Sequence, residues 1–117
     1  MYKQASLVQR HLLTLFVSLL GASCAHPSPE QTAAQFRELS RHEAELARAE
    51  AERGKLVAAQ ADECAPPVHD ATQRVCGESA EVCTLSKALH DRDAETRCLR
   101  AQDACQAARE HVRARCK

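Results

Sequence analysis

Seven cysteines are the residues of this sequence whose type and spacing could do chemistry. A cysteine can attack as a thiolate, hold a metal, or pair as a disulfide, and spacing separates the three. Thiolate catalysis favours a C-x-x-C motif at a helix start, where the sulfur's pKa falls. The sequence has no such motif. Zinc needs thiolates and imidazoles held about 2.0–2.3 Å from one ion. His69, Cys76, Cys83 and His90 recur every seven residues along one stripe, but successive levels stand roughly 10.5 Å apart on a helix and cannot share an ion. A C-x-x-C-H haem attachment site, a G-x-S-x-G elbow and a phosphate-binding loop are also missing from the sequence. No catalytic residue, metal ligand or cofactor is therefore expected, and the chain is read as a non-enzyme.

Disulfide pairing remains, and the spacing selects the pairs. Cys76 and Cys83 are seven apart, as are Cys98 and Cys105, and a step of seven returns to nearly the same face of a helix. Positions 83 and 98 sum to 181, as do 76 and 105, so both pairs are symmetric about a point between His90 and Asp91. Two antiparallel helices folded there set Cys83 opposite Cys98 and Cys76 opposite Cys105, and both bridges close without sliding either rod. Cys64 and Cys116 sum to 180 and miss the symmetry by one residue. Cys116 follows Cys98 by eighteen residues, a whole number of turns, so it faces the same way. Cys64 lies beside Pro66-Pro67, where the chain can adjust, which makes Cys64–Cys116 the third bridge. Of the many pairings that six cysteines allow, this geometry selects one nested set.

The elements that must position these sulfurs are helical. From Glu30 to about Glu63 the chain is rich in Ala, Glu, Arg, Gln and Leu, strong helix formers, and Pro29 stands where a helix would begin. Glu38 with His42, Arg41 with Glu45, and Arg48 with Glu52 are spaced to meet on one face. Phe36, Leu39, Leu46, Leu56 and Val57 follow a broken heptad, with Glu43, Glu50 and Arg53 where a coiled coil wants apolar residues. The first half of this segment is expected to be a solvated stalk, and the second, near Leu56 to Ala61, to pack. Pro66-Pro67 should end the helix. A second helix is expected from about Val68 to Leu89 on a repeat of seven, Val68, Val75, Val82 and Leu89. His90-Asp91-Arg92-Asp93 forms a polar turn, either aspartate can cap, and a third helix runs to about Arg115.

Composition explains why staples are needed. The chain has 117 residues and 44% apolar content, but alanine supplies 22 of the apolar residues and aromatics amount to 3%. Burying a Val, Leu or Phe contributes roughly 1.5–3 kcal/mol, so a handful of them cannot offset the chain entropy comfortably. A crosslink around a loop of about 15 residues removes roughly 3 kcal/mol of the unfolded state's advantage on the chain-entropy model. The fold class expected is all-α: a disulfide-stapled antiparallel hairpin over 64–117, preceded by a longer charged helix over 30–63.

The N-terminus carries an address. Lys3, Arg10 and His11 lead an apolar run from Leu12 to Leu20, too short for the about 20 residues of a membrane span and suited to a cleaved export signal. Leu19-Leu20-Gly21-Ala22-Ser23-Cys24 resembles the lipobox of bacterial lipoproteins, although Gly21 stands where that family usually has Leu. The resemblance implies a signal over 1–23, diacylation of Cys24 and a tether over 24–29. Ala25, where a retention signal would have Asp, implies an outer-membrane lipoprotein facing the periplasm. Parity agrees, since lipid on Cys24 leaves six cysteines to pair, and export supplies the oxidising compartment that disulfides require. The alternative is ordinary cleavage at the small residues Ser23-Cys24-Ala25, releasing a secreted or periplasmic protein that begins at His26.

In shape the mature region resembles disulfide-stapled α-hairpins, namely the coiled-coil-helix-coiled-coil-helix proteins and the plant α-hairpinins, whose cysteine spacings differ from those here. Some α-hairpinins inhibit proteases through a basic residue in the turn, and Arg92 occupies the turn here. The expected role is structural or protein-interacting in the envelope, with the membrane and an envelope protein as partners. The alternative is a small binding module for a metal ion, or for a protease at Arg92. Residues 30–63 carry eight acidic and five basic side chains, and residues 92–117 four acidic and seven basic. The two segments can pack together, or Arg109, Arg113, Arg115 and Lys117 can meet an anionic surface. With zero formal net charge and no aromatic stacking platform, no nucleic-acid partner is expected.

Overall fold

A computed structural model describes residues 26–59 and 62–117. The expected export signal over 1–23 and Cys24 lie outside the described residues. The protein is all-α, with three helices: α1 (Pro29–Ala59), α2 (Pro66–Leu89) and α3 (Arg92–Arg115).

Each helix starts on a local signal. At α1 the Gln31 backbone N–H donates to Ser28 Oγ at 3.2 Å while the Ser28 N–H donates to Gln31 Oε1 at 2.8 Å. This reciprocal capping box, Ser28-Pro29-Glu30-Gln31, starts the helix at Pro29, the position that the sequence offers for it. Pro66 and Pro67 form the first turn of α2 instead of only terminating α1. Proline lacks an N–H where the first turn has no use for one, so the pair starts α2 two residues before the expected Val68. Before it, a tight turn in which Cys64 N–H donates to Asp62 Oδ1 at 2.8 Å presents Cys64 to the end of α3.

The hairpin link is shorter than the expected four residues. His90 closes α2 in the left-handed region, at φ 49° and ψ 40°. Asp91 Oδ1 then accepts from the backbone N–H groups of Asp93 at 2.9 Å and Ala94 at 3.1 Å, so it is Asp91 that caps α3. Arg92 consequently opens α3 and lies outside the link.

α1 runs antiparallel to α2 and packs on the hairpin. The shared core takes Leu39, Leu46 and Ala49 from α1, Val75 and Val82 from α2, and Ala94, Ala101 and Ala108 from α3. The seven-residue stripe of α2 is the buried face: Val68, Val75 and Val82 are fully buried, and Leu89 packs at the margin. The expected division of α1 into a solvated first half and a packed second half does not hold. Its buried residues are Leu39, Leu46 and Ala49, while Leu56 and Val57 are only half-buried and Ala61 lies outside the described residues. Antiparallel docking gathers Phe36 to Ala49 into one cluster with Val75, Val82, Leu85 and Leu89 of α2. Glu43 and Arg53, which break the heptad, are where α1 reaches polar partners on the hairpin.

Candidate functional site

The three disulfides are Cys83–Cys98, Cys76–Cys105 and Cys64–Cys116, the pairs that the register symmetry selects. Their Cα atoms stand 4.5, 4.6 and 5.4 Å apart respectively. Because Cα atoms stand about 2.3 Å from a helix axis, the first two distances set the α2 and α3 axes no more than about 9 Å apart at the bridges, consistent with the usual separation of packed helices. Small residues line the seam: Ser79 and Ser86 on α2 and Ala94, Ala101 and Ala108 on α3 are all buried. Part of the alanine that looks like a poor core in the sequence thus lies buried along the covalent seam.

The chemistry of the seam is constrained by its bonding. Cys83 and Cys98 are 7% and 8% exposed, so a thiolate cannot readily approach them. The stripe His69, Cys76, Cys83, His90 offers no thiolate, because both of its sulfurs are already bonded. His69 and His90 are exposed at opposite ends of α2. Among the described residues no three His, Cys, Asp or Glu side chains cluster as a metal site would require.

Polar clamps hold α1 to the hairpin, and spacing along one helix did not reveal them. Arg97 on α3 donates to Glu43 of α1 at 3.0 Å and to Asp93 of its own helix at 2.8 Å. Burial works against the Arg97 charge, but the two carboxylates outweigh it and hold its pKa above the ordinary arginine value. Arg53 crosses the seam, donating to Thr72 Oγ1 at 3.0 Å and to the Ala108 carbonyl at 3.2 Å. His42 Nδ1 lies 2.7 Å from Glu78 Oε2, and Arg74 lies 3.1 Å from Glu52. The expected pairs within α1 are exchanged accordingly. Arg41 turns back to Glu38 at 2.8 Å and Arg48 to Glu45 at 2.9 Å, which frees His42 and Glu52 for α2. The hydrogen bond and charge of Arg41 hold the Glu38 carboxyl below its ordinary pKa.

At the far end, Glu63 Oε2 lies 3.2 Å from His111 Nε2 and 3.5 Å from Arg115 Nε, beside the Cys64–Cys116 bridge. This contact gives Arg115 a carboxylate neighbour while its side chain stays 64% exposed. Arg109, Arg113 and Lys117 have no carboxylate partner among the described residues, and the two arginines line a groove on the outer side of the α2–α3 seam. Arg92 is exposed at the first position of α3.

Comparison with protein families, curated proteins and solved structures finds no match. The class that the fold and the cysteine seam define is thus one of architecture: a three-helix protein built on a disulfide-stapled hairpin. Disulfides belong to oxidising, exported environments, and no helix among the described residues is long and apolar enough to cross a membrane.

Proposed function

We propose that this chain is a non-enzymatic lipoprotein of a bacterial cell envelope, anchored by lipid on Cys24, with a structural or protein-interaction role. The observation that carries the reading is the complete pairing of the other six cysteines, which leaves none of them to partner Cys24. An odd cysteine in an oxidising compartment is lipidated, intermolecular or reactive, and the lipobox-like segment before it favours lipid. His26-Pro27-Ser28 then forms a short tether, and Pro29 opens α1 at once. The Ala25 position favours the outer membrane facing the periplasm.

The test is expression in a bacterial host with labelled palmitate, followed by membrane fractionation. Wild type incorporates label and sediments with the outer membrane, and Cys24→Ser does neither. An unmodified soluble protein beginning at His26 overturns the lipid anchor and leaves a secreted or periplasmic protein.

A further inference from the structure

A groove of about 570 Å³ runs along the α2–α3 hairpin, and none of its lining residues belongs to α1. Its floor is the Cys76–Cys105 bridge with Ser79 and Ala80, and Arg109 and Arg113 stand on its wall. A second recess of about 390 Å³ shares Cys76 and both arginines and extends toward His69.

The two arginines differ from most others in the molecule. Arg41, Arg48, Arg74, Arg97 and Arg115 each face a carboxylate, and Arg53 is held by Thr72 and the Ala108 carbonyl. Arg109 and Arg113 have no such partner among the described residues, and both are exposed. Glu110, the carboxylate on that wall, accepts a hydrogen bond from Gln106 at 2.9 Å. Two cations one helical turn apart above a floor of small side chains make a surface complementary to carboxylates at the same spacing.

We propose that this groove docks an acidic helix of an envelope protein, seated on the face of the hairpin opposite α1, with carboxylates at positions i and i+4 meeting Arg109 and Arg113. The inference rests on the protein-interaction reading above and names the partner's chemistry. The small floor lets a helix approach closely, since axis separation follows the size of the side chains at the contact. Position favours a protein over the headgroups of the anchoring membrane. α1 is antiparallel to α2, so its tethered end lies by the hairpin link, while Arg53, level with Ala108, lies roughly 36 Å along α1 from Pro29 at about 1.5 Å per residue.

The test uses the full mature chain and three probes: a labelled helical peptide of about 20 residues, long enough to hold its helix, with Glu at paired i and i+4 positions; its Lys counterpart; and phosphatidylglycerol vesicles. The Glu peptide binds, and Arg109→Glu with Arg113→Glu weakens it by about tenfold or more. Arg100→Glu, on an exposed part of α3 outside the groove, leaves binding within about twofold, as expected for a surface charge away from the contact. Circular dichroism checks the fold of each variant, and Arg109→Gln with Arg113→Gln replaces the charge reversal if that variant loses helix. Failure of the Glu peptide to bind, equal binding of the Lys peptide, an equal loss from Arg100→Glu, or arginine-dependent binding of the vesicles alone overturns the proposal. Crosslinking in the native envelope separates this inference from the reading beneath it. A partner retained by the double variant removes the groove but keeps the interaction role, and no partner of the wild type removes the role itself.

Discussion

The α2–α3 seam and the seat of α1 on the hairpin are two solutions to the same shortage of large side chains. At the seam, covalent bonds substitute for volume: the helices meet through Ser79, Ser86, Ala94 and Ala101, and two bridges hold what those residues cannot. At the seat of α1 no disulfide is present among the described residues, and Leu39 and Leu46 with Phe36 at the margin supply conventional packing. Polar contacts follow the same division. The clamps from Arg97, Arg53 and His42 all join α1 to the hairpin, where no sulfur bridge fixes the register. Crosslinks and side-chain contacts are thus complementary, each concentrated where the other is missing.

The most drastic way to break that contrast is reduction. Full reduction of the three bridges should abolish cooperative unfolding and most of the helical signal in circular dichroism, because removing a native disulfide from a small domain typically costs about 2–5 kcal/mol. Retention of the oxidised melting profile would show that the small-residue seam holds unaided. Leu39→Ala attacks the other region and should cost about 2–5 kcal/mol. Hydrogen exchange should then rise in α1 while α2 and α3 stay protected, and uniform loss of protection would mean that the two regions are not separable.

Ala101→Leu sharpens the comparison from the seam side. Extra methylenes between helices held at bridge distance should cost about 1–3 kcal/mol in urea denaturation, whereas a neutral result would place free volume at the seam. Asp91→Ala removes the α3 cap and should cost about 1 kcal/mol, read as a lower melting temperature with the bridges intact. The smallest effect concerns Glu38. Its folded pKa is depressed by Arg41, so the pair's contribution is present above the unfolded carboxyl pKa and is lost as pH falls through the folded value. Both side chains are exposed, so the effect should show as a low carboxyl midpoint in an NMR titration, raised by Arg41→Ala, with little change in overall stability.

The seam was readable in advance and the seat of α1 was not. Positions 76, 83, 98 and 105 carry their register in their own numbering, and Val68, Val75 and Val82 mark the buried face of α2 by period alone. For α1 the thin stripe of Phe36, Leu39 and Leu46 resembled a solvated stalk because Glu43 and Arg53 interrupted it. Their partners, Arg97 and the Ala108 carbonyl, lie 54 and 55 residues away in sequence, beyond any local pattern. The groove beside Arg109 and Arg113 was hidden for a related reason. Both arginines were visible as basic residues, but which of the α3 cations lack a carboxylate neighbour depends on where distant segments bring Glu43 to Arg97 and Glu63 to Arg115.

By itself, then, the amino-acid order determined the helices, the hairpin and the pairing of six sulfurs, since each follows from backbone periodicity and short-range geometry. Tertiary structure alone decided which residues of α1 are buried, which charges cross between helices, and that Pro66-Pro67 begins α2. Those outcomes depend on surfaces meeting from distant parts of the chain, where several docking registers offer similar apolar area and only the full set of contacts selects one.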